Sequence, residues 1–289
     1  MFGTLTVQKP ETDSLYTRGA LRLRPAKGLR HGGGLYRMTM FTWAEVTLSD
    51  GWKDTLREKR VKAGLELLRA KGVREAVLPA QWQALAREQG ICPVTCRRAL
   101  EACAGQSVLE ACRALGLPPG EVGLSVCGRA ISGPVHAELL SLARMVRTVR
   151  VWGEDNDGLR AKLWRGCGIV DRGAMPRGLP VIGLLLEGGR PPEDAVLTVD
   201  LTDGGGEETA LLWRPELEPP AGALAQKPEG VPADAFAAAL FAAGALRARE
   251  IRVSRLDIEK HTQYNYLINH KINPHYLKFK NTDYFSIAL

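Results

Sequence analysis

The sequence predicts an α/β protein: a mostly parallel sheet flanked by helices, with an antiparallel strand extension. Two observations carry this. Between Glu121 and Asp171, strand, glycine-bearing turn, helix, strand, helix and short strand follow one another. That alternation builds right-handed crossovers and hence a parallel sheet. After Pro176 the rhythm changes to Val181–Glu187, Ala195–Thr202 and Thr209–Trp213, strand-like runs joined by Gly188-Gly189-Arg190-Pro191-Pro192 and Asp203-Gly204-Gly205-Gly206. Joins this turn-rich predict hairpins, which places the antiparallel extension at 181–213.

The remaining elements follow in chain order. Leu5–Lys9, Leu35–Phe41 and Ala44–Ser49 are strand-like, broken by Gly32-Gly33-Gly34. Trp52 to Ala70 carries Leu56, Ala63, Leu67 and Leu68 among charges and predicts a surface helix closed by Gly72. Val73–Pro79 predicts a strand, Gln81–Gln89 a helix ending at Gly90, and Ile91–Thr95 a strand. Arg97–Leu115 predicts a helix interrupted at Gly105 and stopped by Gly116. In the helix Pro134–Arg147, Val135, Leu139, Leu142 and Val146 form one apolar stripe. Thr148–Trp152 is the next strand, Gly158–Arg165 a helix and Gly168–Asp171 a short strand. Residues 215–232 form a Pro/Gly-rich linker, Ala233–Leu246 a helix apolar nearly all round, and Ile251–Ile258 a closing strand.

The turn after Glu121–Cys127 is Gly128-Arg129-Ala130-Ile131-Ser132-Gly133, and the first acid beyond the next strand is Glu154. Residues 122–171 thus resemble a Rossmann-type nucleotide-binding unit, with Ala130 in the middle glycine's place. In that pattern the outer glycines, here Gly128 and Gly133, permit the tight turn and close helix packing, and the helix N-terminus offers amides to a phosphate. The Ala130 methyl group hinders phosphate approach, while Arg129 and Ser132 offer donors. Glu154 is placed to bind ribose hydroxyls and repel a 2′-phosphate, which favours NAD over NADP. The expectation is a Rossmann-like nucleotide- or dinucleotide-binding body, with an NAD-dependent oxidoreductase as its enzymatic version. The alternative is a non-catalytic interaction or structural protein that keeps the fold without the ligand.

His136 is the one candidate acid/base near the turn. The positive end of the following helix is expected to depress its pKa and favour neutral imidazole. The cluster Glu154-Asp155-Asn156-Asp157-Gly158 has a calcium-loop look but lacks the distal glutamate, and no Walker A loop, nucleophile elbow or His-Glu-x-x-His is present. Cys92, Cys96, Cys103, Cys112, Cys127 and Cys167 contain no Cys-x-x-Cys pair and read as small apolar residues, so no metal site is expected.

Composition bounds the class. The chain has 289 residues, 45% of them hydrophobic and 25% charged, as a soluble globular protein does. Its net charge of +7 is concentrated at the ends. Residues 1–38 hold seven Lys/Arg against two acids, residues 260–289 four Lys against one acid, and 28 basic face 29 acidic residues between. No continuous basic face follows, so nucleic acid is not the expected partner. Residues 1–38 are expected to be a basic arm and 39–259 the body. Residues 260–289 hold four of the five Asn and three of the five His but no Gly or Arg, which sets them apart as a foreign tail. No basic and then apolar leader opens the sequence and no run is long enough to span a bilayer, so a cytoplasmic protein is expected.

Overall fold

The structure, a computed structural model, describes residues 2–8, 20–25, 42–49, 54–70, 72–129, 131, 133–153, 156–167, 175–203, 212–225, 227, 230–254 and 256. The expected strands Leu35–Phe41 and Gly168–Asp171 and the tail 260–289 lie outside them. The chain is α/β as expected, but its single expected body is divided into two units, Met1–Ala99 with Leu217–Arg252 and Leu100–Glu216 with Val253–Leu289.

In the first unit β1 (Phe2–Gln8) is followed by β2 (Ala20–Pro25), β3 (Thr42–Ser49), helix α1 (Asp54–Ala70), β4 (Glu75–Val77), α2 (Gln83–Glu88) and β5 (Cys92–Pro93). The strand order is β2-β3-β1-β4-β5. Strand β1 runs parallel to β3 and β4, β5 parallel to β4, and β2 antiparallel to β3. Two strands therefore lie within the expected basic arm, and β1 is central because Leu5 packs in the core. That core joins Leu5 to Val61, Leu65 and Leu68 of α1 and to Val73, Ala76, Ala86 and Ile91. The buried stripe of α1 thus runs through Val61, Leu65 and Leu68, at helical spacing, while Ala63 and Leu67 face solvent.

The second unit positions the candidate site. Helix α3 (Arg97–Ala102) leads into α4 (Ala104–Leu115), β6 (Gly123–Cys127), α5 (Gly133–Leu142), β7 (Thr148–Trp152), α6 (Asp157–Cys167), β8 (Val181–Leu185), β9 (Leu197–Asp200) and β10 (Leu212–Trp213). The sheet order is β10-β9-β8-β6-β7, with every pair parallel. Helix α4 packs over β8 and β9, α5 against α4, and α6 against α5. The expected stripe of Val135, Leu139, Leu142 and Val146 is buried throughout. Burial also decides the thiols of α4: it pushes the Cys112 pKa up to about 11, and with the Glu138 carboxylate pushes Cys103 up to about 12.

Register divides the sheet into two unlike faces. Leu124, Val126, Val149, Val151, Ile182, Leu184, Leu197 and Val199 align on one. The other carries Gly123, Ser125, Cys127, Arg150, Gly183, Thr198 and Asp200, small or polar and almost fully buried, together with the apolar Val181 and Leu185 and, at the end of β7, Trp152. Irregular segments lie on this second face. A Cβ on Gly123 would stand 3.1 Å from the Met175 sulfur, and one on Gly183 would stand 2.9 Å from Pro192 Cγ and 2.5 Å from Thr198 Oγ1.

That contact sets the course of the chain after β8. Strands β8, β9 and β10 are parallel, so the expected antiparallel extension at 181–213 is not there; one antiparallel pairing among the described residues lies between β2 and β3. The segment after β8 lays Pro192 on the sheet at Gly183 and returns to the start of β8, where the Val196 amide donates to the Val181 carbonyl. A hairpin would have paired the strand ends instead.

The chain closes with β11 (Leu217–Glu218), α7 (Ala221–Leu224), α8 (Ala233–Ala242) and β12 (Arg252–Val253). Two elements therefore interrupt the expected linker 214–232. Helix α8 buries Phe236, Ala237, Ala238, Ala239 and Leu240 and packs against β4 and β11. Among the described residues no helix is long and apolar enough to cross a membrane.

Replacing Gly183 by Val tests the path of the returning segment. Overpacking against Pro192 and Thr198 should cost about 1–3 kcal/mol, read as a lower urea midpoint. An unchanged midpoint would mean that Pro192 does not rest on the strand.

Candidate functional site

Read in order of appearance, the five strands of the second unit lie 2-1-3-4-5, so the chain reverses direction of growth beside β6. In such open sheets the loops leaving neighbouring strands part company at the reversal, and a crevice opens at their carboxyl ends. A cleft of ≈ 400 Å³ stands at that place. Its walls come from the ends of three strands: Cys127 and Gly128 after β6, Trp152 and Gly153 after β7, and Gly188 to Pro192 after β8.

The floor is backbone held unusually close. Gly153, at φ +116°, lies so near the Gly128 carbonyl that a Cβ there would stand 1.9 Å from its oxygen. Gly188, at φ +72°, and Gly189 likewise press on Arg129 and on the Cys127 carbonyl. Side chains cannot occupy such positions, which is why three loop ends meet as glycine.

Asn156 locks this meeting point. Only 2% exposed, it donates from Nδ2 to the carbonyls of Gly128 at 2.9 Å and Trp152 at 3.3 Å, and its Oδ1 accepts from the Ile131 amide at 3.4 Å. Asn156 thus turns its amide inward, while its neighbour Asp157 pairs with Arg160 at 2.8 Å. Arg160 also donates to the carbonyls of Val151 and Gly153, clamping the end of β7.

Beneath the cleft runs a buried polar network. The Arg150 guanidinium, on a residue 7% exposed, donates to Ser125 Oγ at 3.0 and 3.2 Å and to the Asp194 carboxylate at 2.6 Å. It also lies 5.1 Å from the ring centre of Trp152, within cation–π range. Burial raises the Cys127 thiol pKa, against the lowering effects of Ser125 and Arg150, so this residue at the cleft wall stays a thiol.

The expected site residues meet these facts unequally. Gly128 lines the cleft, and Arg129 is exposed beside Gly188. Gly128 must be glycine because a Cβ would stand 2.8 Å from that of Leu186. The turn amides are already engaged: Gly128 N–H donates to Trp152 O at 3.3 Å and Arg129 N–H to Glu187 O at 3.1 Å. Gly133 opens α5 with open space around it, so close helix packing does not require it. Ala130, Ser132 and Glu154 lie outside the described residues. His136 is half-buried on α5 and is not part of the described cleft wall. Its pKa is lowered as expected, but first by burial and then by Lys162, with a hydrogen bond to the Ile131 backbone opposing.

Sequence reasoning missed Asn156, Trp152, Arg150 and the Gly188–Pro192 wall. One signal was present, because Asn156 is the only asparagine before residue 260. Among the described residues no group of three His, Cys, Asp or Glu could hold a metal ion. The chain matches no protein-family model and no curated protein.

Replacing Asn156 by Ala leaves the Gly128 carbonyl and the Ile131 amide short of a buried partner, while Trp152 O keeps the Gly128 amide, and should cost about 1–3 kcal/mol in chemical denaturation. A neutral result would show that water can take the amide's place. For His136, a lowered folded pKa means that the unfolded chain takes up more protons as pH falls through the ordinary histidine range near about 6.5. Stability should therefore drop on acidification through that range, and His136→Gln should flatten the drop in melting temperature.

Proposed function

We propose that this protein binds a nucleotide-class small molecule at the carboxyl edge of β6, β7 and β8. The observation that carries the reading is the cleft at the reversal of an all-parallel sheet, with a half-exposed tryptophan in its wall. Crevices at this place in open α/β sheets are where such ligands sit. Arg129, within the Gly128–Gly133 turn, and Glu154, the first acid after β7 in the sequence, are the further residues offered to phosphate and ribose, and NAD is the dinucleotide that Glu154 favours. A cytoplasmic setting fits the thiols, none of which is in a disulfide among the described residues. Since His136 stands apart from the described wall, the geometry favours binding over hydride transfer.

A second reading is a ligand-free interaction scaffold. The Gly128 and Arg129 amides favour it, because both already donate within the protein.

A thermal-shift panel on the full chain separates the two readings, with NAD, NADP, S-adenosylmethionine and mononucleotides as ligands. A ligand at 100 times its dissociation constant should add about 2.7 kcal/mol of stability. A shift with any nucleotide that Trp152→Ala removes supports the cleft. A flat panel on a cooperatively melting protein supports the scaffold.

A further inference from the structure

We infer that the occupant of this cleft is a single nucleoside monophosphate, not a dinucleotide. The inference rests on the cleft being a ligand site and narrows what it takes.

Three features point the same way. A dinucleotide needs free backbone donors for its pyrophosphate, and a glycine turn serves that purpose only when its amides face the ligand. Here the amides of Gly128, Arg129 and Ile131 donate to Trp152 O, Glu187 O and Asn156 Oδ1. Gly128 is itself pressed on Leu186, so its missing side chain makes room for protein rather than for phosphate.

Size agrees. A volume of ≈ 400 Å³ stands toward the small end of the range of about 300–1,000 Å³ that encloses compact ligands. One base, one ribose and one phosphate suit it, whereas a dinucleotide doubles all three.

The walls supply what a monophosphate wants. Trp152 keeps 47% of its surface exposed and is steadied by the Arg150 guanidinium, so an oriented indole awaits a stacking partner. Pro191 and Pro192 add rigid apolar wall. Arg190 is exposed in the same wall and forms no ion pair among the described residues, so its guanidinium is available to a phosphate. Arg150 cannot serve, being committed to Ser125 and Asp194.

Calorimetric titration of the full chain with AMP, GMP, CMP, UMP, their nucleosides and NAD tests this. At least one monophosphate should bind about tenfold tighter than its nucleoside, the contribution of one charge-assisted contact. Arg190→Gln should bring that monophosphate to the level of its nucleoside while leaving the nucleoside unchanged. Trp152→Ala should weaken both by about tenfold, and Trp152→Phe, which keeps an aromatic face, should restore most of the loss. NAD should bind no tighter than the best monophosphate. Tighter binding of NAD overturns the inference and leaves the nucleotide-binding reading standing. Equal affinity of monophosphate and nucleoside also overturns it. If no nucleotide binds to the folded chain, both readings fall.

Discussion

The second unit depends on one buried cation. Arg150 carries a guanidinium into a face of the sheet that is almost closed to water, where an unpaired charge would cost several kcal/mol. Its partners come from three places in the chain. Ser125 is its neighbour on β6, Asp194 reaches it from the segment after β8, and Trp152 lies over it from the end of its own strand. Satisfying this one group therefore fixes where the 187–195 segment lies and how the indole is held. The Asp194 side chain remains 43% exposed, so Coulomb attraction is partly screened. Geometry, more than the strength of that pair, is what the network supplies.

A second constraint closes the picture above it. Three loops must leave adjacent strands and still meet, which brings their backbones closer than any Cβ allows. Gly153 against the Gly128 carbonyl is the tightest case, and Gly189 against the Cys127 carbonyl the next. Packing this close brings the Gly128 and Trp152 carbonyls to one place, and Asn156 donates to both. The glycines and the asparagine are one device. Removing the donor strands the Gly128 carbonyl, and adding a side chain forces the loops apart.

The β6–α5–β7 part of the fold was legible because two periods coincide with it. Val135, Leu139, Leu142 and Val146 keep the helical period, and the strands on either side are short β-rich runs. The parallel course of β8 and β9 was not legible, since a Gly/Pro-rich join suits a hairpin and a return over the sheet equally. What decides between them is Gly183, a residue inside the strand whose missing side chain admits Pro192. In α1 the true stripe of Val61, Leu65 and Leu68 was obscured by Leu67, whose exposure no local rule reveals. At the site, the glycine pattern asks for Gly128 to permit a tight turn, yet the structure asks for glycine there because of Leu186. Asn156 lies in an acidic stretch with a calcium-loop look. Its partners include the Gly128 carbonyl and the Ile131 amide, each about 25 residues back, and sequence spacing carries no sign of them.

These observations share a cause in the two unlike faces of the sheet. A face of Leu, Val and Ile can be covered only by apolar side chains, which helices present in stripes. A face where Val181, Leu185 and Trp152 stand among Gly, Ser, Cys and Thr gives a helix less apolar surface to bury, and it lets irregular chain lie close. Irregular chain brings unpaired backbone groups with it, so it needs polar partners beneath. The polar residues of β6, β7 and β9 are therefore the condition for covering this face with loops. A loop, unlike a helix packed across the sheet, can stop short of the carboxyl edge. The cleft between Trp152 and the Gly188–Pro192 segment is the space left by that choice.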